Sequence, residues 1–474
     1  MAPNGGRLSA LVIALLVSAV ASTEPASGRA QGARTAGSRA ETPVTSIDLR
    51  SPRAQNSPSL AVDPGDPRVV AAASRVDGPE FGCALHVSGS GGRGWVPVRP
   101  VTRLPAGVDR CYAPEIAFDS KGILYFLFIG LRGAGNVPVG AFLVTSSDHG
   151  RFFRRPWRVL GPDRFMVRMV VDTGRGPHRG RVHLAWLRAA SPPALGGFVP
   201  GDNPVQASHS DDGGRTFSRP VRVSPPGDAR VVAPALALGR RGAVHVAFYD
   251  LGDDAVDYQG LEGPAWEGAW SLLVSTSADG GARFSRPVVV DDAIVPASRV
   301  MLIFTMPAPA LAADGDGRVY VAWSDAREGD ADVFLRRSSD GGSSWAAARR
   351  VNDDAIGNGR DQYLPRISVA PGGRLDVVFY DRRGDAENLR NEVMSTSSAD
   401  GGRHLAPNRA LTSVASDSRT GARYPVPSAA GLVEFGSRLG SVSLPGSVLA
   451  AWTDTRMAHP GSLQQDVYAR MVTR

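Results

Sequence analysis

The chain has 474 residues, 42% apolar and 7% aromatic, with 55 glycines, 36 prolines and a formal net charge of +7. Such a composition builds a core from short strands and tight turns; with no sustained 3.6-residue or heptad periodicity, helical-bundle and coiled-coil classes are excluded and an all-β fold is expected. The positive balance rests on arginines scattered as singles and doublets, Lys121 being the single lysine, without a basic stripe interleaved with aromatics, which argues against nucleic-acid binding.

Residues 1–21 read as a signal peptide: Arg7 precedes an apolar run from Leu8 to Val20, short for a bilayer span, and Ala19-Val20-Ala21 offers a small-x-small cleavage site. Residues 22–42 are small and polar and are expected to form a disordered linker. No later stretch could cross a membrane, so a secreted, extracellular protein that is not membrane-embedded is expected. An oxidising compartment permits a disulfide between Cys83 and Cys111, the two cysteines of the chain; two separate buried thiols are the alternative.

From residue 43 onward the chain is repetitive. The pattern Ser-x-Asp-x-Gly-x-x-aromatic is complete at 146–153, 210–217, 277–284 and 338–345. Degenerate copies lie at 88–95, with Ser90 in the aspartate position, and at 398–405, which keeps Asp400 but ends in Leu405. Starting at Ser90, these positions are 58, 64, 67, 61 and 60 residues apart. The chemistry is that of a hairpin turn. The carboxylate accepts bonds from its own turn, glycine supplies a backbone angle other residues resist, and the aromatic wedges into the sheet. Asp148, Asp212, Asp279, Asp340 and Asp400 are therefore read as structural rather than catalytic.

A second repeat, an apolar strand, a Gly/Asp turn and another apolar strand, occurs seven times and aligns Ala73, Phe128, Trp186, Phe248, Trp323, Phe379 and Trp452 in one column. Two hairpins make a four-stranded propeller blade. The seventh inner hairpin is followed by a single strand, QDVYARMVTR, so residues 44–50 (VTSIDLR) are expected to supply the outer strand of the last blade, closing the ring and removing its free edges.

The first motif is the Asp-box, and over residues 43–474 the chain resembles the sialidase-like (BNR-repeat) β-propellers. The resemblance implies a single all-β domain, here a seven-bladed β-propeller, with the Asp-box turns on one face and the substrate on the other, where loops join the hairpins. It implies recognition of extracellular glycans or glycoconjugates, with hydrolysis of the exo-α-sialidase, glycoside hydrolase type. A non-catalytic binding or adhesion propeller is the alternative; a third reading is a glycosidase using two aspartates, as in the xyloglucan-cleaving Asp-box propellers. Two departures stand against direct transfer of activity. The related sialidases have six blades, and their Arg-Ile-Pro phrase is missing here; PRISV at 365–369 lacks the proline after Ile.

Candidate site residues therefore come from the hairpin-joining loops. Second strands end in Asp250, Asp325, Asp381 and Asp454, three of them followed two residues later by Arg327, Arg383 and Arg456; Arg75 and Arg188 occupy the Asp column in blades 1 and 3, and Arg132 the Arg column in blade 2. These are read either as a charged mouth contacting ligand or as turn caps and ion-pair clamps. Tyr112, Tyr363 and Tyr424 enter the funnel just before innermost strands, where they could stack on a sugar or, in the sialidase manner, act as nucleophile with a carboxylate. Tyr363, Tyr112, Asp325 and Asp381 are the catalytic candidates. Glu115, Glu434 and Asp77 are further carboxylates that no spacing selects. Cys83 and Cys111 fall on this same face, which favours the bridge. The insertion at 251–270, with Asp253, Asp254, Asp257, Glu262, Trp266 and Trp270, is read as a recognition loop or a solvated lid.

No cofactor and no metal is expected. Asp314-Gly-Asp316-Gly resembles a calcium loop without its following glutamate and is read as a turn, while the eight histidines lack ligand spacing, His183 and His245 occupying matched packing positions. A monomer is expected.

Overall fold

The computed structural model describes residues 41–43, 53–78, 80–189, 198–199, 201–227, 230–259, 266–297, 308–421, 435–458 and 462–474. Their strands form seven antiparallel sheets. Blade 1 comprises Ala54–Val62, Val70–Gly78, Gly82–Ser88 and Val96–Val98; blade 2, Arg110–Phe118, Leu124–Arg132, Val137–Ser146 and Trp157–Leu160; blade 3, Arg164–Val171, Val182–Arg188, Val205–Ser210 and Val221–Arg222. Blade 4 comprises Val231–Leu238, Val244–Asp250, Trp270–Ser277 and Val288–Ile294; blade 5, Ala310–Ala313, Val319–Asp325, Asp332–Ser338 and Arg349–Arg350. Blade 6 comprises Gln362–Val369, Leu375–Asp381, Arg390–Ser398 and Arg409–Ala410, its third strand also pairing with Ser416–Asp417. Blade 7 comprises Gly440–Leu444, Ser447–Asp454 and Asp466–Thr473, and its fourth strand comes from the other end of the chain: Thr42 and Pro43 pair with Ala469 and Tyr468. First strands of neighbouring blades touch in ring order, blade 7 returning to blade 1, so the sheets surround a central channel.

Closure by the N-terminal segment is described at Thr42–Pro43, the last residue of the expected linker and the first of the expected propeller. The anticipated closing strand at 44–50, the signal peptide and residues 22–40 lie outside the described residues. Glu41 reinforces the closure with an ion pair to Arg456 of blade 7 and a hydrogen bond from Ser413 Oγ of 3.1 Å.

The apolar cores lie between blades. The aromatic column is buried throughout, Trp186, Trp323, Phe128, Phe248 and Phe379 being fully so. The motif aromatics seal these interblade clusters from the turn face: Phe153 against the blade 1–2 cluster, Phe217 against blades 2–3, Phe284 and Trp345 against blades 3–5. The turns themselves are built as their sequence requires. Gly214 N donates to Ser210 Oγ (2.8 Å), Ser210 Oγ to Asp212 Oδ1 (2.7 Å) and Thr216 N to Asp212 Oδ1 (2.9 Å); the same bonds recur at 146–152, 277–283, 338–344 and 398–404. The Thr216 hydroxyl on Asp212, and the Ser338 and Ser344 hydroxyls on Asp340, hold these carboxyls down to about 2. They are permanently ionised hairpin staples with no proton to give.

Cys83 in the third strand of blade 1 is bonded to Cys111 in the first strand of blade 2, with Cα atoms 5.6 Å apart. The bridge ties two blades together across 28 residues of sequence, a loop whose closure in the unfolded chain corresponds to about 3–4 kcal/mol.

Candidate functional site

The hairpin-joining face is shaped by one recurrent backbone irregularity. In blades 1, 2, 3, 4 and 6 the first strand loses register with the second just after entering from that face. Each irregularity contains a non-glycine residue in the left-handed region: Ser57 (φ 52°), Ala113 (φ 48°), Met166 (φ 52°), Ala233 (φ 57°) and Leu364 (φ 51°). Such residues are costly, and a bulge re-aims the side chains around it. Pairing resumes at Ser59, Glu115, Arg168, Ala235 and Arg366. Three of these five equivalent positions therefore bring a charge to the innermost strand, where the channel is the available space.

Arg438, two residues ahead of the first strand of blade 7, joins them. It is placed by Gly436, whose φ of 99° and close approach to Ser57 N, 2.8 Å from where a Cβ would stand, admit no side chain. Ser437 N donates to Ser57 Oγ (3.0 Å) and Arg438 Nε to Ser57 O (3.1 Å). From there Arg438 Nη1 reaches across blade 1 to Glu115 Oε1, and Arg168 Nη1 donates to the same oxygen at 2.9 Å. Arg168 Nε also donates to Pro234 O (3.2 Å) in blade 4. Residues from blades 2, 3 and 7 can meet in this way only across the central channel.

Arg366 of blade 6 faces the same cluster without a hydrogen-bonding or ion-pairing partner for its guanidinium among the described residues. Its side chain keeps an exposed surface, as expected of a group lining the enclosed central channel. Desolvation by this enclosure pulls its pKa down to about 10; Glu115 opposes the shift, and the like charges of Arg438 and Arg168 add to it. Enclosure alone would raise the Glu115 carboxyl, but Arg438, Arg168 and Arg366 outweigh it and hold the group below its usual range. Three guanidiniums thus meet one carboxylate, an excess of two positive charges.

The residues singled out from sequence are placed differently. Asp325 accepts from Trp323 Nε1 (2.8 Å) and Arg327, which also binds Asp291 Oδ1 of blade 4 at 2.9 Å. Asp381 holds Arg383, which reaches Asp353 and Asn408 Oδ1 (2.8 Å) between blades 5 and 6. Asp454 accepts from Trp452 Nε1 (2.9 Å) and Arg456, the partner of Glu41. All three aspartates are buried. Arg327 and Arg383 thus bridge neighbouring blades. Arg75 is buried on Asp77 and Tyr112 Oη, its guanidinium over the Tyr112 ring, and Asn56 Nδ2 donates to the same Asp77 carboxylate at 2.7 Å. Arg188 pairs with Asp163, Asp250 Oδ1 caps its own turn at Gly252 N (3.0 Å), and Arg132 is exposed. Tyr363 is 9% exposed, donates to Asn391 Oδ1 (2.5 Å) and lies under Arg382; burial pushes its phenol well up. Tyr424, Glu434 and Glu262 lie outside the described residues.

Two described residues of the 251–270 insertion, Asp254 and Tyr258, pack down onto the propeller. Asp254 caps a single helical turn, Ala255–Tyr258, and accepts from Trp270 Nε1 (2.9 Å), while Tyr258 Oη accepts from Asn203 (2.7 Å). Asp314 accepts from Asp316 N, Arg318 and Tyr320 Oη, bonds that make it a turn residue.

Arg168, Arg366 and Arg438 were not among the sequence candidates, and Glu115 was unselected. The signal was present: at the residue resuming each inner strand, Ser, Ala and Ala stand in blades 1, 4 and 5, so charged residues in blades 2, 3 and 6 break a small-residue column.

No protein-family model and no curated protein matches this sequence. Solved structures similar to it include an ulvan lyase of a new polysaccharide lyase family (TM-score 0.50, 12% identity, covering 89% of this chain and 94% of that one) and a protein of unknown function from Dyadobacter fermentans (TM-score 0.48, 12% identity, 93% and 100%). They also include a Hadza microbial sialidase (TM-score 0.46, 15% identity, 73% of this chain), of whose length this chain spans 66%. The likeness is one of fold: the chain is a seven-bladed β-propeller with a polysaccharide lyase and sialidases among its structural neighbours.

Proposed function

We propose that this protein is an extracellular propeller that binds an anionic glycan at the hairpin-joining face, seating a sugar carboxylate on Arg366, Arg168 and Arg438. The observation that carries this reading is the guanidinium of Arg366, unpaired among the described residues and held beside two further arginines and a single carboxylate. Like charges enclosed together repel, and a ligand anion relieves the excess; the planar fork of arginine matches a carboxylate in two parallel bonds. The neighbouring sialidases act on sugars, which directs the ligand class toward glycans, while secretion rests on the N-terminal sequence.

Binding fits the site better than hydrolysis. A general acid needs a raised pKa, whereas Glu115 is held ionised by the three arginines. A nucleophilic phenol needs activation, whereas Tyr363 is buried and pushed up and Tyr112 is engaged by Arg75. Titration calorimetry with N-acetylneuraminate, glucuronate and neutral galactose tests the reading. The two acids bind, galactose does not, and Arg366→Ala weakens the acids at least tenfold, the loss of one charge-assisted pair. Equal binding of galactose, indifference to Arg366→Ala, or turnover of a fluorogenic sialoside would overturn it.

A further inference from the structure

A second cationic site lies on the opposite, turn-bearing face, between blades 5 and 6. A groove of about 270 Å³ is lined by Leu335, Arg337 and Arg349 of blade 5 and by Gly402, Arg403 and His404 of the Ser398–His404 turn of blade 6, with Ala346 and Ala347. Among the described residues the guanidiniums of Arg337, Arg349 and Arg403 have no hydrogen-bonding or ion-pairing partner. Elsewhere in the molecule arginines beside carboxylates are paired, as Arg318 is with Asp314 and Asp316 and Arg283 with Asp279. The acid closest in sequence to the groove is already saturated: Asp400 accepts from Ser398 Oγ (2.8 Å), Arg403 N (3.0 Å), His404 N (3.0 Å) and His404 Nδ1 (2.6 Å).

The floor explains why the three charges can act together. Gly402 has φ 80° and its absent side chain leaves Arg337 Cδ 3.4 Å from where a Cβ would be, so the turn backbone lies directly on the Arg337 stem. Leu335 is buried beneath, and the two alanines keep the rim low. The corresponding turn of blade 5 offers Ser343 and Ser344, both bound back to Asp340, and no arginine. Arginine recurs at the Arg403 position as Arg93, Arg151 and Arg215; at the blade 5–6 junction Arg337 and Arg349 line the same groove.

We infer that this groove binds the sulfate or carboxylate groups of an acidic polysaccharide, independently of the channel site. A concavity of this size takes an oxyanion with part of the sugar that bears it, and three convergent guanidiniums supply planar donors to its oxygens. Because the groove is open at the turn face, the chain can continue beyond it. The site makes the protein bivalent for acidic polysaccharide, with one contact at each face of the ring.

The test is binding of a heparin-derived hexasaccharide and of an unsulfated oligogalacturonate of equal length, measured for the full chain and for an Arg337→Ala/Arg349→Ala/Arg403→Ala variant. Expected is binding of at least one oligosaccharide to the unmodified protein, weakening with added salt, and a loss of at least tenfold in the triple variant, with an unchanged melting temperature and unchanged binding of N-acetylneuraminate. Which of the two binds separates sulfate from carboxylate as the anion. Retention of full affinity by the triple variant, failure of both oligosaccharides to bind, or equal binding of a DNA duplex of matched charge would overturn the inference.

Discussion

Replacing Glu115 by Gln lowers the folding stability by about 3–5 kcal/mol, because it removes the one anion from a group of three enclosed guanidiniums. The carboxylate accepts from Arg168 and Arg438 at a single oxygen and is only 12% exposed, so water replaces it poorly. Arg366→Ala has the opposite sign. It removes the charge in excess and leaves stability unchanged or raised. Urea denaturation of both variants at pH 7 measures the pair of effects. The contrast is diagnostic, since a merely structural cluster, in which every member is needed, loses stability in both. The pH dependence follows with its sign: a carboxyl held below its unfolded value contributes stability that is present above about pH 4.3 and is lost as pH falls through the folded pKa. Added sulfate stabilises Glu115→Gln more than the unmodified protein, since only a bound anion then balances the arginines.

Stability also falls steeply as pH drops from about 6.5 to 4, through three buried histidines. Burial pulls His86 and His245 down to about 4 and His183 to about 3, the last also disfavoured by Arg181, His209 and His178 around it, with Asp211 opposing. Each stays neutral in the folded chain while the unfolded chain takes up a proton near pH 6.5. A group depressed in this way contributes stability above its unfolded pKa and loses it on acidification. At about 1.4 kcal/mol per pH unit for each histidine, the three together lose on the order of 10 kcal/mol across this window. Asp381 and Glu392, raised by burial, oppose the trend because they take up protons more readily when folded. Denaturant midpoints at pH 7, 6, 5 and 4 measure the slope; midpoints that stay level from pH 6.5 to 4.5 would contradict the account.

The legible part of the fold was the part written as repeats. Ser-x-Asp-x-Gly turns announce themselves because one local structure demands one set of side chains, and the hairpins between them follow from alternation and spacing. Ring closure was legible as a strand count, since three strands of blade 7 need a fourth; the pairing described, at Thr42-Pro43, directly precedes the expected 44–50 and is anchored by Glu41 on Arg456. The charged strand ends allow two readings for a physical reason. Asp-x-Arg at a loop edge suits ligand and neighbour equally, and only the geometry shows Arg327 on Asp291 and Arg383 on Asp353. The channel cluster was hidden because its members are separated by up to 323 residues and converge through a ring that no local pattern encodes.

The most direct measurement is a crystal structure of the protein soaked with N-acetylneuraminate or glucuronate. A sugar carboxylate within hydrogen-bonding distance of Arg366, Arg168 and Arg438 is the expected result. A channel left empty while the sugar occupies another surface would contradict the account.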